Sequence, residues 1–128
     1  MWEHFTVDEL KCKCGCGKAD MDPYFMSKLH ALRKTLGFPL QVSSGFRCEE
    51  YNQKVSKTGS KGPHTLGRAV DIVGSGKEAY LLVQYATNFH MQGIGVKQSG
   101  SHEQRFIHLD DMTEKDGYPR PRIWSYNT

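Results

Sequence analysis

The sequence predicts an α+β domain, a small and mainly antiparallel sheet with flanking helices. Three observations carry that reading. Two capped helical segments come early in the chain. Short alternating apolar runs, "RAVDIV", "GIGVK" and "RFIHLDDM", follow in the second half. A single helical stretch lies between the first of these runs and the other two, which suits one helix crossing a small sheet. At 128 residues the chain reads as one domain spanning 1–128, long enough for a real core.

The elements follow in order. Thr6 with Glu9 three residues on forms a capping box, and Phe5 with Leu10 a hydrophobic staple, so a short helix opens the chain. "KCKCGCG" breaks regular structure because glycines interleave the cysteines. A second helix starts with Asp22 as cap and Pro23 at its first position, and ends before Gly37. Within it Phe25, Leu29, Leu32 and Leu36 recur at helical spacing and form one core-facing stripe. His30 flanks that stripe. "PLQVSSG" (39–45) reads as a strand entering a turn, with Ser43 and Ser44 at its end, and "EEYNQKVS" as a short helix.

Residues 57–67, rich in Gly, Ser, Lys and Thr, form a loop that delivers His64 to "RAVDIV" (68–73), a strand with β-branched residues. Ser75 with Glu78 predicts a second capping box for a helix running through "EAYLLVQYATNF". "GIGVK" and "RFIHLDDM" read as two strands joined by the polar turn "QSGSHEQ". The tail "YPRPRIWSYNT" is expected to pack Trp124 and Tyr126 on the body.

Composition narrows the function classes. The chain is 38% hydrophobic and 24% charged, ordinary for a globular protein, with a net charge of +3. Such a mild basic excess is compatible with an anionic polymer such as a cell wall. The basic residues are scattered rather than clustered, so nucleic acid is not an expected partner. No apolar stretch is long enough for a membrane span. Separately, a monomer is expected. The N-terminal "MWEHFTVDEL" has no charged-then-apolar signal pattern, so synthesis in the cytoplasm is the expectation. There Cys12, Cys14, Cys16 and Cys48 start out reduced. The cysteines read as buried structural thiols. A closed four-sulfur zinc site is the alternative, although C-x-C-x-C is tighter than the usual ligand spacing of two to four intervening residues.

The chemistry gathers around three residues. In "RFIHLDDM" alternation puts Phe106, His108 and Asp110 on one face and Arg105, Ile107 and Leu109 on the other. Asp71 sits mid-strand between Val70 and Ile72, where a half-buried carboxylate is costly unless a cation or several donors satisfy it. With these two strands near each other, Asp71 and His108 face the same side and the loop brings in His64. Two imidazoles and one carboxylate make an open zinc site, in which water has a pKa of about 7 and a carbonyl is polarised. A histidine among apolar strand residues is equally compatible with a satisfied core side chain, and spacing alone leaves both readings open.

"SGFRCEEYN" (44–52), "GPHTLGRAVDI" (62–72), "GIGV" (93–96) and "FIHLD" (106–110), in this order, resemble the zinc D-Ala-D-Ala carboxypeptidase family. The likeness is to its small single-domain peptidases among phage endolysins and bacterial murein hydrolases, and covers roughly residues 5 to 112. The fold is shared with the Hedgehog signalling domain. The resemblance implies one catalytic Zn2+ held by His64, Asp71 and His108, and Arg47 contacting a substrate carboxylate or carbonyl oxygen. It implies hydrolysis of a peptide bond in peptidoglycan stem peptides, with the enzyme made in the cytoplasm of an infected bacterium and acting on the wall. Many members carry an acid three residues before the last histidine, where this chain has Arg105. Glu103 takes its place as the candidate general base, with Asp110 and His102 as the alternatives. Asp110 also suits a role orienting a ligand. The departure at Arg105 keeps a non-catalytic zinc-containing recognition module of the same fold as the other reading. Gly67 is expected to serve close backbone approach or a positive φ.

Overall fold

A computed structural model describes residues 3–126; the first two residues of the N-terminal stretch and the last two of the tail lie outside it. Among the described residues four α-helices are ordered with five strands: α1 (Val7–Leu10), α2 (Pro23–Leu36), β1 (Gln41–Ser44), α3 (Glu49–Val55), β2 (Ala69–Val73), α4 (Gly76–Ala86), β3 (Gly93–Lys97), β4 (Phe106–Asp110) and β5 (Arg122–Ser125). The strands form one sheet in the order β1-β2-β4-β3-β5, antiparallel throughout except for the parallel β3–β5 pair. The α+β class and the mainly antiparallel sheet are as the sequence predicts. Among the described residues no helix is long and apolar enough to cross a membrane.

The early helices form where their local signals put them. Thr6 Oγ1 accepts from Glu9 N–H at 3.1 Å while Thr6 N–H donates to Glu9 Oε1 at 3.0 Å, which closes the capping box. Asp22 caps α2 by accepting from Phe25 N–H at 2.9 Å, and Gly37 ends it in the left-handed region at φ 78°. The expected box at α4 does not form. Gly76 opens that helix at φ 56°, and from this left-handed entry Ser75 makes no side-chain cap bond.

Phe25, Met26, Leu29 and Leu32 of α2 are fully buried with Leu82 of α4, against Val70, Ile72, Ile107 and Leu109 of the sheet. Fully burying one such aliphatic side chain is worth roughly 1.5–3 kcal/mol, so this layer holds β2 and β4 at the centre. Alternation then sends Asp71 and His108 to the opposite face. The tail differs from expectation in one respect: beyond packing on the body it adds β5 to the sheet edge beside β3.

Candidate metal centre

One row of residues crosses the whole sheet. Register pairs Ser44 with Asp71, Asp71 with His108, His108 with Gly95, and Gly95 with Trp124. The two central members of that row are the carboxylate and imidazole singled out above. His64 joins them from a 3₁₀ turn, Pro63–Leu66, closed by Gly62 N–H donating to Thr65 Oγ1 at 3.0 Å. Gly67 ends that turn at φ 68°, and a Cβ there would lie 2.1 Å from the Asp20 carbonyl oxygen. The positive φ expected of Gly67 is present, while the close approach is to the Asp20–Asp22 segment rather than between the ligand loop and its strand, and together they exclude any side chain.

One ligating atom from each of His64, Asp71 and His108 lies within 4.8 Å of the other two, and all three residues are buried. His64 Nδ1 is 2.7 Å from the Gly45 carbonyl oxygen. Only an N–H can satisfy that acceptor, so Nε2 is left as the lone-pair nitrogen, 3.4 Å from Asp71 Oδ1. His108 Nδ1 is 3.1 Å from the same Asp71 oxygen, and its Nε2 is 2.7 Å from Asp110 Oδ2. Each imidazole thus has one nitrogen anchored behind it and one facing the cluster. This back-anchoring is what metal-binding histidines need to hold tautomer and ring orientation. The donor set of two imidazoles and one carboxylate, converging and buried, suits zinc with an open fourth position.

Electrostatics agree with a cation-binding site. Burial pushes His64 below its ordinary pKa, against the pull of Asp71, and so favours the neutral ring a metal requires. For Asp71 burial opposes ionisation, but the imidazoles of His64 and His108 overcome it and hold the carboxyl well below the usual range. Burial also opposes a charge on His108, yet its hydrogen bonds to Asp110 and Asp71 raise it to about 9. The two carboxylates that raise His108 make a negative field that equally favours a bound cation.

Arg47 reaches the cluster through Asp71. Its Nη2 is 3.3 Å from Asp71 Oδ2, its Nε donates to Ser44 Oγ at 3.1 Å and its Nη1 to Asn52 Oδ1 at 3.2 Å. These partners are side chains of the site rather than turn carbonyls. The Arg47 amide in turn donates to the His64 carbonyl at 3.2 Å, which ties the arginine loop to the ligand turn.

Asp110 stands behind His108, fully buried. Arg120 donates to both of its oxygens, at 3.0 and 2.9 Å, and the Met112 amide adds a third bond at 3.2 Å. Burial opposes its ionisation, while His108 and Arg120 bring it down to about 2. Glu103 and His102 are not members of the His–Asp–His group and sit in an exposed 3₁₀ turn, His102–Gln104. Glu103 lines a cleft with Ser43, Val73 and Phe106. Val73 and Phe106 follow Asp71 and precede His108 by two residues, so this cleft continues along the metal-facing side of the sheet. Arg105, in the place of the expected acid, donates to the Gly100 carbonyl at 3.0 Å and braces that connection.

Three contributors escaped the sequence reading. Asn52, buried, holds Arg47 while donating to the Gly59 carbonyl at 2.7 Å. Arg120 clamps Asp110. Trp124 lays its ring 5.2 Å from that of His108, with the Arg120 guanidinium 5.1 Å from the indole. Asn52 does fall inside "SGFRCEEYN", but neither tail residue has any local signal of its place.

No curated protein matches the chain. The family model described as Peptidase M15 matches residues 3–110, a span that contains His64, Asp71, His108, Arg47, Glu103 and Asp110. With most of its length matched and a buried His–Asp–His cluster in place, the chain belongs to the peptidase M15 family, the zinc-dependent D-Ala-D-Ala carboxypeptidase-like metallopeptidases.

Proposed function

We propose that this protein is a zinc peptidase that hydrolyses a peptide bond in the stem peptides of peptidoglycan, in the manner of a phage endolysin. The observation that carries the reading is the converging, back-anchored trio of His64, Asp71 and His108, in a chain of this family. These three residues would hold the ion. Zinc bound there supplies Lewis acidity toward a carbonyl oxygen and an acidified water.

The remaining chemistry belongs to the chain. Arg47, which touches Asp71, offers its guanidinium to the oxyanion that forms at the scissile carbonyl. On a carboxypeptidase substrate the same group binds the terminal carboxylate instead. Glu103 takes the proton of the attacking water and passes it to the leaving amine. Its own backbone N–H and the Ser101 side chain hold its pKa below the ordinary value. Asp110 acts through His108 rather than on substrate, since its oxygens are committed to His108, Arg120 and Met112. The cleft lined by Glu103, Ser43 and Phe106 receives the peptide.

Digestion of purified peptidoglycan, with mass spectrometry of the products, tests this. New amine and carboxyl ends are expected with zinc, absent after chelation and restored on zinc addition, and they identify the bond. Glu103→Gln should retain zinc and lose about 10²–10⁴-fold in rate. Stoichiometric zinc with no stem-peptide cleavage would instead make the protein a recognition module, the alternative that Arg105 keeps in play.

A further inference from the structure

Another cluster of metal-ligating side chains includes Cys48, the residue after Arg47. Cys12, Cys14, Cys16 and Cys48 are all free thiols, and one sulfur from each lies within 4.8 Å of the others. Cys12 Sγ is 3.4 Å from Cys14 Sγ and 3.7 Å from Cys48 Sγ, and Cys14 and Cys48 sulfurs are 3.6 Å apart. Tetrahedral zinc with bonds of about 2.3 Å sets its sulfurs about 3.8 Å apart. The spacing in the chain, tighter than usual, is accommodated by left-handed glycines. Gly15 at φ 94° and Gly17 at φ 81° curl the segment, and the Cys12 amide closes it by donating to the Lys18 carbonyl at 2.8 Å.

Two more features point the same way. Backbone N–H groups donate to the sulfurs, Cys48 N–H to Cys12 Sγ at 3.3 Å and Cys16 N–H to Cys14 Sγ at 3.4 Å, the kind of bond that stabilises thiolate. Lys18 and Lys54 line a cleft with Cys14, Cys16 and Cys48, against the single acid Glu50, and so offset the negative charge of a four-thiolate site. Only Cys12 is buried, whereas Cys14 and Cys16 are exposed. The expectation of four buried structural thiols therefore holds only for Cys12: Cys14 and Cys16 are exposed and contribute little to the core, yet all four sulfurs converge.

We propose that Cys12, Cys14, Cys16 and Cys48 form a closed structural zinc site, separate from the His–Asp–His centre, that fastens the N-terminal segment to the loop carrying Arg47. Binding releases the thiol protons to solvent, and four sulfurs leave no open position for chemistry. The staple has a direct route to the substrate side. Cys48 follows Arg47, and the Phe46 amide already donates to the Leu10 carbonyl at 2.8 Å, so zinc locks a contact the backbone has begun.

The test is metal analysis and cobalt spectroscopy on the full chain. Wild type purified with zinc should carry two equivalents, His64→Ala one, and Cys14→Ser/Cys16→Ser one, the last retaining the His–Asp–His ion. Cobalt-loaded wild type and His64→Ala should both show sulfur-to-cobalt charge transfer, which the double serine variant loses. If the serine variant does not fold, the wild-type cobalt spectrum still decides: no charge-transfer band in a fully reduced protein overturns the proposal. A non-reduced mass lower by two hydrogens, with zinc content unchanged by the serine substitutions, would mean a disulfide and overturn it equally. Neither result depends on whether the His–Asp–His centre cleaves peptidoglycan.

Discussion

His108 is held from behind by Asp110, and Asp110 by Arg120, so the ring facing the metal site is set by a relay of two buried carboxylate contacts, at 2.7 and 2.9 Å. His108 and Arg120 carry only 6% side-chain exposure each, and Asp110 itself none. A carboxylate in that position raises the basicity of the imidazole and fixes its tautomer. Asp110→Asn keeps the shape and removes the charge. Zinc affinity at this site should fall about 10–100-fold, measured by competition with a chromophoric chelator. An affinity unchanged from wild type would mean that Asp110 only fills space. His64 needs no such relay, because a backbone carbonyl, that of Gly45, already accepts its Nδ1 proton.

Strand β3 shows how an element serves a site without contributing a ligand. Its two glycines, Gly93 and Gly95, pair in register with Asp110 and His108. A Cβ on Gly93 would lie 2.3 Å from the Asp110 carboxylate, and one on Gly95 would lie 2.7 Å from Trp124 Nε1. The motif "GIGV" is therefore a groove in the sheet, deep enough for the Asp110–Arg120 pair and for the indole that covers His108. Gly95→Ala should push the indole off the strand and cost about 1–3 kcal/mol by overpacking. Denaturant unfolding reads the loss, and near-UV circular dichroism should report the displaced tryptophan. Unaltered stability and spectrum would show that β5 does not seat Trp124 over Gly95.

On the scale of the whole molecule, charged residues tie the ligand loop to the segment after β4. Arg68 donates to Asp111 Oδ1 at 2.7 Å and to Asp116 Oδ1 at 3.2 Å, while Lys28 of α2 reaches Asp111 at 2.9 Å. The Thr113 hydroxyl and then the Arg68 guanidinium hold Asp116 below its ordinary pKa. A depressed folded value means the charge stabilises the fold fully above the unfolded-chain pKa of about 3.9, and that this is lost as pH falls through the lower folded value. The melting temperature of Asp116→Asn should therefore lie below that of wild type at neutral pH, and the gap should close in acid below about pH 3.9. A gap that persists unchanged into acid would assign it to shape rather than charge. The effect is small because Asp116 is partly exposed and solvent screens it.

Sequence alone determined whatever depends on neighbours within about four residues. The caps of α1 and α2, the apolar stripe of α2 and the opposite faces of β4 were all readable, because a capping hydrogen bond or a strand's alternation involves only adjacent turns. The ordered motifs also carried the family. Even this local reading failed at Ser75, where the left-handed Gly76 overrode the cap pattern. What only the tertiary structure decided spans long separations: Asp71 opposite His108, Arg120 behind Asp110, Trp124 over Gly95, and Cys48 meeting Cys12, 36 residues earlier. Nothing in a local window distinguishes an arginine that will clamp a buried carboxylate from one that will stay in solvent. Strand order and register make that distinction, and they follow from how the core closes under the whole sheet.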